Sequence, residues 1–137
     1  MRAVVDTNVI AYYLLGNPRF EAETRTFWER LREPLAPALW EAELANVVWM
    51  SVRAGVLAAA EGSAKLHMAR RLGIHAVATR ALWHGALLRS LQSGVAVYDT
   101  LFVELAEREQ APLVTFDQRL LEAWPAIARR PAALSAG

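Results

Sequence analysis

Residues 3–8 read Ala3-Val4-Val5-Asp6-Thr7-Asn8. An apolar run with two β-branched residues stops on a carboxylate. Such a run predicts a short strand buried on both faces, as in a sheet covered by helices. Asp, Thr and Asn in succession suit the cap and first turn of a following helix. The opening therefore predicts strand, acid, helix, with the helix over 9–15 stopped by Gly16-Asn17-Pro18. The same grammar returns in Leu113-Val114-Thr115-Phe116-Asp117, where a second strand delivers a second acid. In open α/β sheets, ligands bind beyond the carboxyl ends of the strands. If these two strands are parallel neighbours, Asp6 and Asp117 meet at one edge of the sheet. Taken alone, each acid can equally be a helix cap.

Between these strands the apolar spacing predicts helices over 19–31, 38–52, 57–72 and 79–91, and one from 98 to about 108. In the helix over 38–52, Leu39, Ala42, Ala45, Val48, Trp49 and Val52 form the expected buried face. Trp49 reads as core, whereas Trp40 and Trp83 read as either core or interface, with interface favoured. Residues 33–37 carry two prolines and read as a break, or as a very short strand at an edge or an end. A strand is predicted over 74–77, a helical turn over 118–123 and a poor edge strand near 126–128. Gly16, Gly55, Gly73 and Gly94 read as turns, and the last few residues are expected to fray. This order argues for one three-layer α/β domain over residues 1–137, with a mostly parallel central sheet flanked by helices.

The 137 residues are 55% hydrophobic and 21% charged, enough for one domain with a real core. The apolar surplus leaves room for a surface covered by a partner. The absence of cysteine excludes disulfides, thiolate zinc sites and iron–sulfur clusters, and fits a reducing cytoplasm. No long uncharged apolar run appears and no signal peptide is read, so a cytoplasmic protein without a membrane span is expected. Net charge is +1, and Lys65 is the one lysine among 15 basic residues. Arginine offers phosphate a planar fork that lysine lacks, although a high-GC genome produces the same bias. No glycine-rich phosphate loop is present, so no nucleotide cofactor is expected.

Two further acids stand out. Glu43 sits among Leu39, Ala42, Val47 and Trp49, with Asn46 three residues on along the same face. A buried carboxylate must be paired or bound to a metal; the alternative is a boundary residue paired with an arginine. Asp99 opens a helix, where it can cap or offer an oxygen to a metal. Four converging acids repel one another unless cations are present. Oxygen donors suit Mg²⁺ or Mn²⁺. His67, His75 and His84 lack ligand spacing and are assigned no catalytic role.

The stretches AVVDTNVIAYYLLG (3–16), PALWEAELANVV (37–48), VAVYDTLFVELAE (95–107) and PLVTFDQRL (112–120) together resemble the PIN domain. The similarity points in particular to the VapC-type toxin ribonucleases of toxin–antitoxin pairs. The resemblance implies that Asp6, Glu43, Asp99 and Asp117 are the catalytic metal ligands, with Thr7, Asn8, Asn46 and Thr115 supporting them. It implies a Mg²⁺- or Mn²⁺-dependent endoribonuclease that cleaves RNA by metal-activated water. It also implies a homodimer and a small antitoxin partner. Gln118-Arg119 stands where some relatives carry a further acid, which leaves one metal as the better expectation. The rival expectations are another acid-cluster phosphotransfer enzyme, such as a phosphatase or DNA nuclease, and a non-catalytic interaction module on the same fold.

Overall fold

The computed structural model describes residues 1–135. Strand β1 (Arg2–Val5) leads into helices α1 (Thr7–Leu15) and α2 (Glu21–Arg30), then β2 (Glu33–Pro37). Helices α3 (Leu39–Arg53) and α4 (Ala59–Ala69) connect to β3 (His75–Val77), and α5 (Thr79–Ser93) and α6 (Val97–Glu109) to β4 (Leu113–Val114). The chain closes with α7 (Gln118–Ala123), β5 (Ala128–Arg129) and α8 (Pro131–Ser135). The five strands form one sheet in the order β3-β2-β1-β4-β5, and every pairing is parallel. Helix α6 lies on β1 and β2, while α1 contacts α2, α3 and α4. Covering the sheet this way explains why Ala3, Val4, Val5, Leu113 and Val114 are all fully buried.

β1 pairs with β4 through Val4–Leu113 and Val5–Val114, the arrangement expected from their shared pattern. The chain adds β2 and β3 on one side of β1, then crosses to add β4 and β5 on the other. The gap between the carboxyl ends of β1 and β4 is therefore the switch point of the sheet, where such folds bind ligands.

Four expectations are corrected. β2 is an interior strand, lying between β1 and β3. Its prolines are tolerated because Pro34 pairs only with β1, pairing with β3 starting at Leu35, and because Pro37 is the last residue of the strand. The chain's end, expected to fray, forms α8 against α2. Glu23 anchors it by pairing with Arg130 and accepting from the Ala132 N–H at 2.9 Å. Ala136 and Gly137 lie outside the described residues. In α3 the buried stripe is Trp40, Leu44 and Val48, spaced one turn apart. Ala42, Ala45 and Trp49 face outward, and the Arg53 guanidinium lies 5.3 Å from the Trp49 ring centre. Of the two readings open for Trp40, the favoured interface gives way to core; Trp83 is 53% exposed.

Helices α5 and α6 are fastened by Glu104, which pairs with Arg89 and Arg108 at 2.9 Å each. Gly85 makes room for that carboxylate: a Cβ there would lie 2.2 Å from Glu104 Cδ. Alanine in a helix gains about 1 kcal/mol over glycine. Displacing a carboxylate tied to two arginines costs more, so Gly85→Ala should lose about 1–2 kcal/mol net. Thermal unfolding would check this; a stabilised variant would show that Glu104 swings aside freely. Among the described residues, no helix is long and apolar enough to cross a membrane.

Candidate active site

Asp6 leaves the end of β1 and caps α1. Its backbone N–H still belongs to the sheet, donating to the Val114 carbonyl at 2.9 Å. Its side chain is 7% exposed and accepts on both oxygens. The Thr7 N–H reaches Oδ1 at 2.8 Å, and the Thr115 hydroxyl reaches Oδ2 at 2.7 Å. Asn8 lies 3.4 Å from both Asp6 Oδ2 and Thr115 Oγ1, while its own oxygen accepts from the Phe116 N–H at 3.2 Å. The end of β1 is thereby stitched to the end of β4.

Asp117 follows that stitch. Its N–H donates to Thr115 Oγ1 at 2.9 Å, and it caps α7 by accepting from the Arg119 N–H at 2.9 Å. Capping and site placement thus hold together at both strand ends. Glu43 projects from α3 and accepts from the Thr7 hydroxyl at 2.8 Å, so its partner is a threonine and not the arginine of the alternative reading. Asp99 is the third residue of α6 rather than its cap, which is Ala96. Helix α6 buries Leu101, Phe102, Val103 and Leu105, which fixes its rotation. Asn46 is exposed and donates to the Met50 sulfur at 3.6 Å.

The charges respond to one another. Burial first, then the charges of Glu43 and Asp99, push the Asp6 carboxyl up to about 7, against the pull of the Thr115 hydrogen bond. Burial and the Asp99 charge raise Glu43; burial and the Asp117 charge raise Asp99. All four acids are therefore within electrostatic reach in a chain Glu43, Asp6, Asp99, Asp117. Arg119 is the residue the sequence did not reveal. Its Nη2 lies 3.1 Å from Asp99 Oδ2 and 3.3 Å from Asp117 Oδ2. The signal was a basic residue two positions after a capping acid, legible only once Asp99 is known to face it.

No group of three or more acids or histidines among the described residues already stands at metal-ligand spacing. Like charges favour separation, and Thr7, Thr115 and Arg119 each hold an acid by its own partner. In kind, the donor set fits a hard divalent cation: carboxylate oxygens, three of which resist ionisation through burial first and the charge of a neighbouring acid second.

Residues 3–123 match the family model for the PIN domain. The chain belongs to the PIN-domain family. Over 131 residues this PIN domain is 32% identical to ribonuclease VapC3 of Pyrobaculum aerophilum, covering 93% of the chain and 98% of that protein. It is 36% identical over 90 residues to ribonuclease VapC3 of Mycobacterium tuberculosis, covering 66% of the chain and 64% of that protein. The fold is that of PAE2754 from Pyrobaculum aerophilum, with a TM-score of 0.73, 22% identity, and coverage of 99% of this chain and 88% of that one. It is also shared with VapBC2 from Rickettsia felis, solved bound to a DNA fragment from their promoter. That likeness has a TM-score of 0.65 and 17% identity, over 95% of this PIN domain and 98% of that chain.

Thr115 is the hinge of the hydrogen-bonded set, donating to Asp6 while accepting from the Asp117 N–H. Thr115→Val keeps the shape and removes both bonds. A hydrogen bond to a charged group contributes about 1.5–3 kcal/mol, and a loss in that range is expected at alkaline pH, where Asp6 is ionised. Thr115→Ser should restore most of it. Urea unfolding of the three proteins would decide; an unchanged midpoint for the valine variant would remove Thr115 from this role.

Proposed function

We propose that this chain is a divalent-metal-dependent endoribonuclease, the toxin of a toxin–antitoxin pair. The observation that carries the reading is the linkage of four carboxylates at the switch point of a PIN domain: Thr115 joins Asp6 to Asp117, Thr7 joins Asp6 to Glu43, and Arg119 joins Asp117 to Asp99. Its relatives' name, ribonuclease VapC3, supports RNA as the substrate. Asp6, Glu43, Asp99 and Asp117 would hold Mg²⁺ or Mn²⁺. The cation supplies Lewis-acid activation of water and offsets charge on the phosphate. The chain's own residues set the stage for that chemistry. Thr115 and the Thr7 N–H fix the two oxygens of Asp6, and the Thr7 hydroxyl fixes one oxygen of Glu43. Asn8 ties the two strand ends into one rim. Such supporting bonds orient ligands and are worth roughly 10–100-fold in metal affinity or activity. No hydrogen bond joins Asn46 to this set among the described residues, so its part in the reading rests on the helix face alone.

Two separate apolar surfaces support the two protein contacts, a second copy and an antitoxin. Trp83, Leu87 and Leu91 recur one turn apart on α5 and are exposed. Trp49, Met50, Val56 and Met68 are exposed in the region of α3 and α4. Beside them, a groove of about 190 Å³ is lined by Ala11, Leu15, Val47, Val56 and Leu57. Contiguous exposed apolar surface marks interaction sites in soluble proteins.

The decisive experiment incubates the protein with Mn²⁺ and, in parallel, single-stranded RNA, single-stranded DNA and a small phosphomonoester. Cleavage confined to RNA supports the proposal, and growth arrest on expression supports the toxin assignment. Preferred hydrolysis of DNA or of the monoester would transfer the reading to the rival phosphotransfer class. Inertness toward all three would favour an interaction module.

A further inference from the structure

The four carboxylates are balanced in two different ways. Asp6 and Glu43 are held by neutral donors, the hydroxyls of Thr115 and Thr7, the Thr7 N–H and the Asn8 amide. Asp99 and Asp117 are instead bridged by one positive charge, the Arg119 guanidinium. A single Nη2 serves both acids. The side chain of Arg119 is 66% exposed, against 25% for Asp99 and 23% for Asp117. The cation therefore lies at the mouth of the site, above two acids that are mostly covered, on a side chain free to move into water. Its root is fixed: the Arg119 N–H is held by Asp117 Oδ1 in the first turn of α7, and the next residue, Leu120, is fully buried. Helix α7 is anchored without the guanidinium, and exposed ion pairs add little to stability. A tie so placed contributes little to holding the fold. What it changes is the charge balance of the two acids.

We propose that Arg119 is a resident counter-ion: it occupies the place between Asp99 and Asp117 while no divalent cation is bound, yields that place on cation binding, and so sets the site's cation affinity. This rests on the metal-binding reading above. The geometry separates a counter-ion from a structural brace. Removing a brace loosens the acids and weakens cation binding. Removing a competitor leaves two acids with unopposed negative charge and strengthens it.

The test is calorimetric titration of the full chain with Mn²⁺ at fixed pH and salt, for the wild type, Arg119→Gln, Arg119→Lys and Asp99→Asn. Arg119→Gln should bind Mn²⁺ about three- to tenfold more tightly, the scale set by two exposed ion pairs. Arg119→Lys keeps the charge and loses the fork, so it should stay nearer the wild type. Asp99→Asn should bind more weakly. Without metal, the melting temperature of Arg119→Gln should stay close to that of the wild type, and the rise on adding Mn²⁺ should exceed that of the wild type. If the wild type binds Mn²⁺ and Arg119→Gln binds it equally or less tightly, the counter-ion role is overturned while the metal site stands. If neither binds at millimolar Mn²⁺, the metal site falls and the counter-ion role falls with it.

Discussion

Asp6→Asn should cut RNA cleavage by roughly a hundredfold or more and still yield a metal-free protein at least as stable as the wild type at about pH 8. The two halves of this result have one cause. Asp6 is the most buried of the four acids and the one most strongly opposed to ionisation, its carboxyl pushed up to about 7. The shift from an ordinary 3.8 corresponds to about 4 kcal/mol as an upper limit on what its ionisation costs the fold. An asparagine carries no such cost. It does turn an NH₂ group toward donors, and rearranging one neutral hydrogen bond costs about 1 kcal/mol. The relief is larger than that loss above pH 7 and smaller near pH 5, where the native Asp6 is protonated and only the unfolded chain is ionised. Activity responds in the opposite sense, because an amide cannot supply the negative charge that a divalent cation needs. Cleavage assays with Mn²⁺ and urea unfolding at both pH values read the two effects independently. An Asp6→Asn protein that still cuts RNA would remove Asp6 from the site. A variant destabilised at pH 8 would show that its hydrogen bonds outweigh its charge.

The second large effect is a pH dependence whose sign reverses with metal. Asp6 takes up its proton more readily in the folded protein than in the unfolded chain, and the same direction holds for Glu43 and Asp99. Between the unfolded value near 4 and the folded value of Asp6 near 7, the native state holds protons that the unfolded chain has released. The stability this gives is fully present below pH 4 and is lost as pH rises through about 7. With EDTA present, the melting temperature should therefore fall from pH 5 to pH 8. A divalent cation held by the ionised acids, as proposed, would stabilise the fold by mass action. Adding Mg²⁺ should consequently raise the melting temperature strongly at pH 8 and barely at pH 5. Equal metal-free stability at the two pH values would contradict the opposition of burial and neighbouring charge to the ionisation of Asp6.

Much of this site is legible from residue order because its parts obey local rules. Asp6 and Asp117 stand at the ends of buried apolar runs, and β1 and β4 are parallel neighbours as that pattern implies. Glu43 is conspicuous as a charge on an apolar helix. What escapes the sequence depends on partners far along the chain. The swing of Arg119 toward Asp99 is decided by the rotation of α6, which follows from its buried face. The interior place of β2 depends on where β3 begins to pair, not on the prolines alone. Helix α8 is too short to persist by propensity and exists through Glu23, 109 residues before its Ala132 partner. Trp49 looked buried because aromatic residues usually are, yet α3 offers the sheet only one stripe.

The stitch between β1 and β4 also bears on how the protein is made. β1 leaves the ribosome before the other four strands of this sheet and is its central strand. Its acid waits for a hydroxyl 109 residues later, and that hydroxyl in turn positions Asp117. Parallel pairings of such separation close late in folding. A nascent chain shorter than β4 therefore carries Asp6 with one flank open, lacking Thr115, Asp117 and the counter-charge of Arg119. The complete arrangement comes into being only once β4 and α7 have emerged, so synthesis itself keeps these acids unassembled until more than 100 residues beyond Asp6 are present.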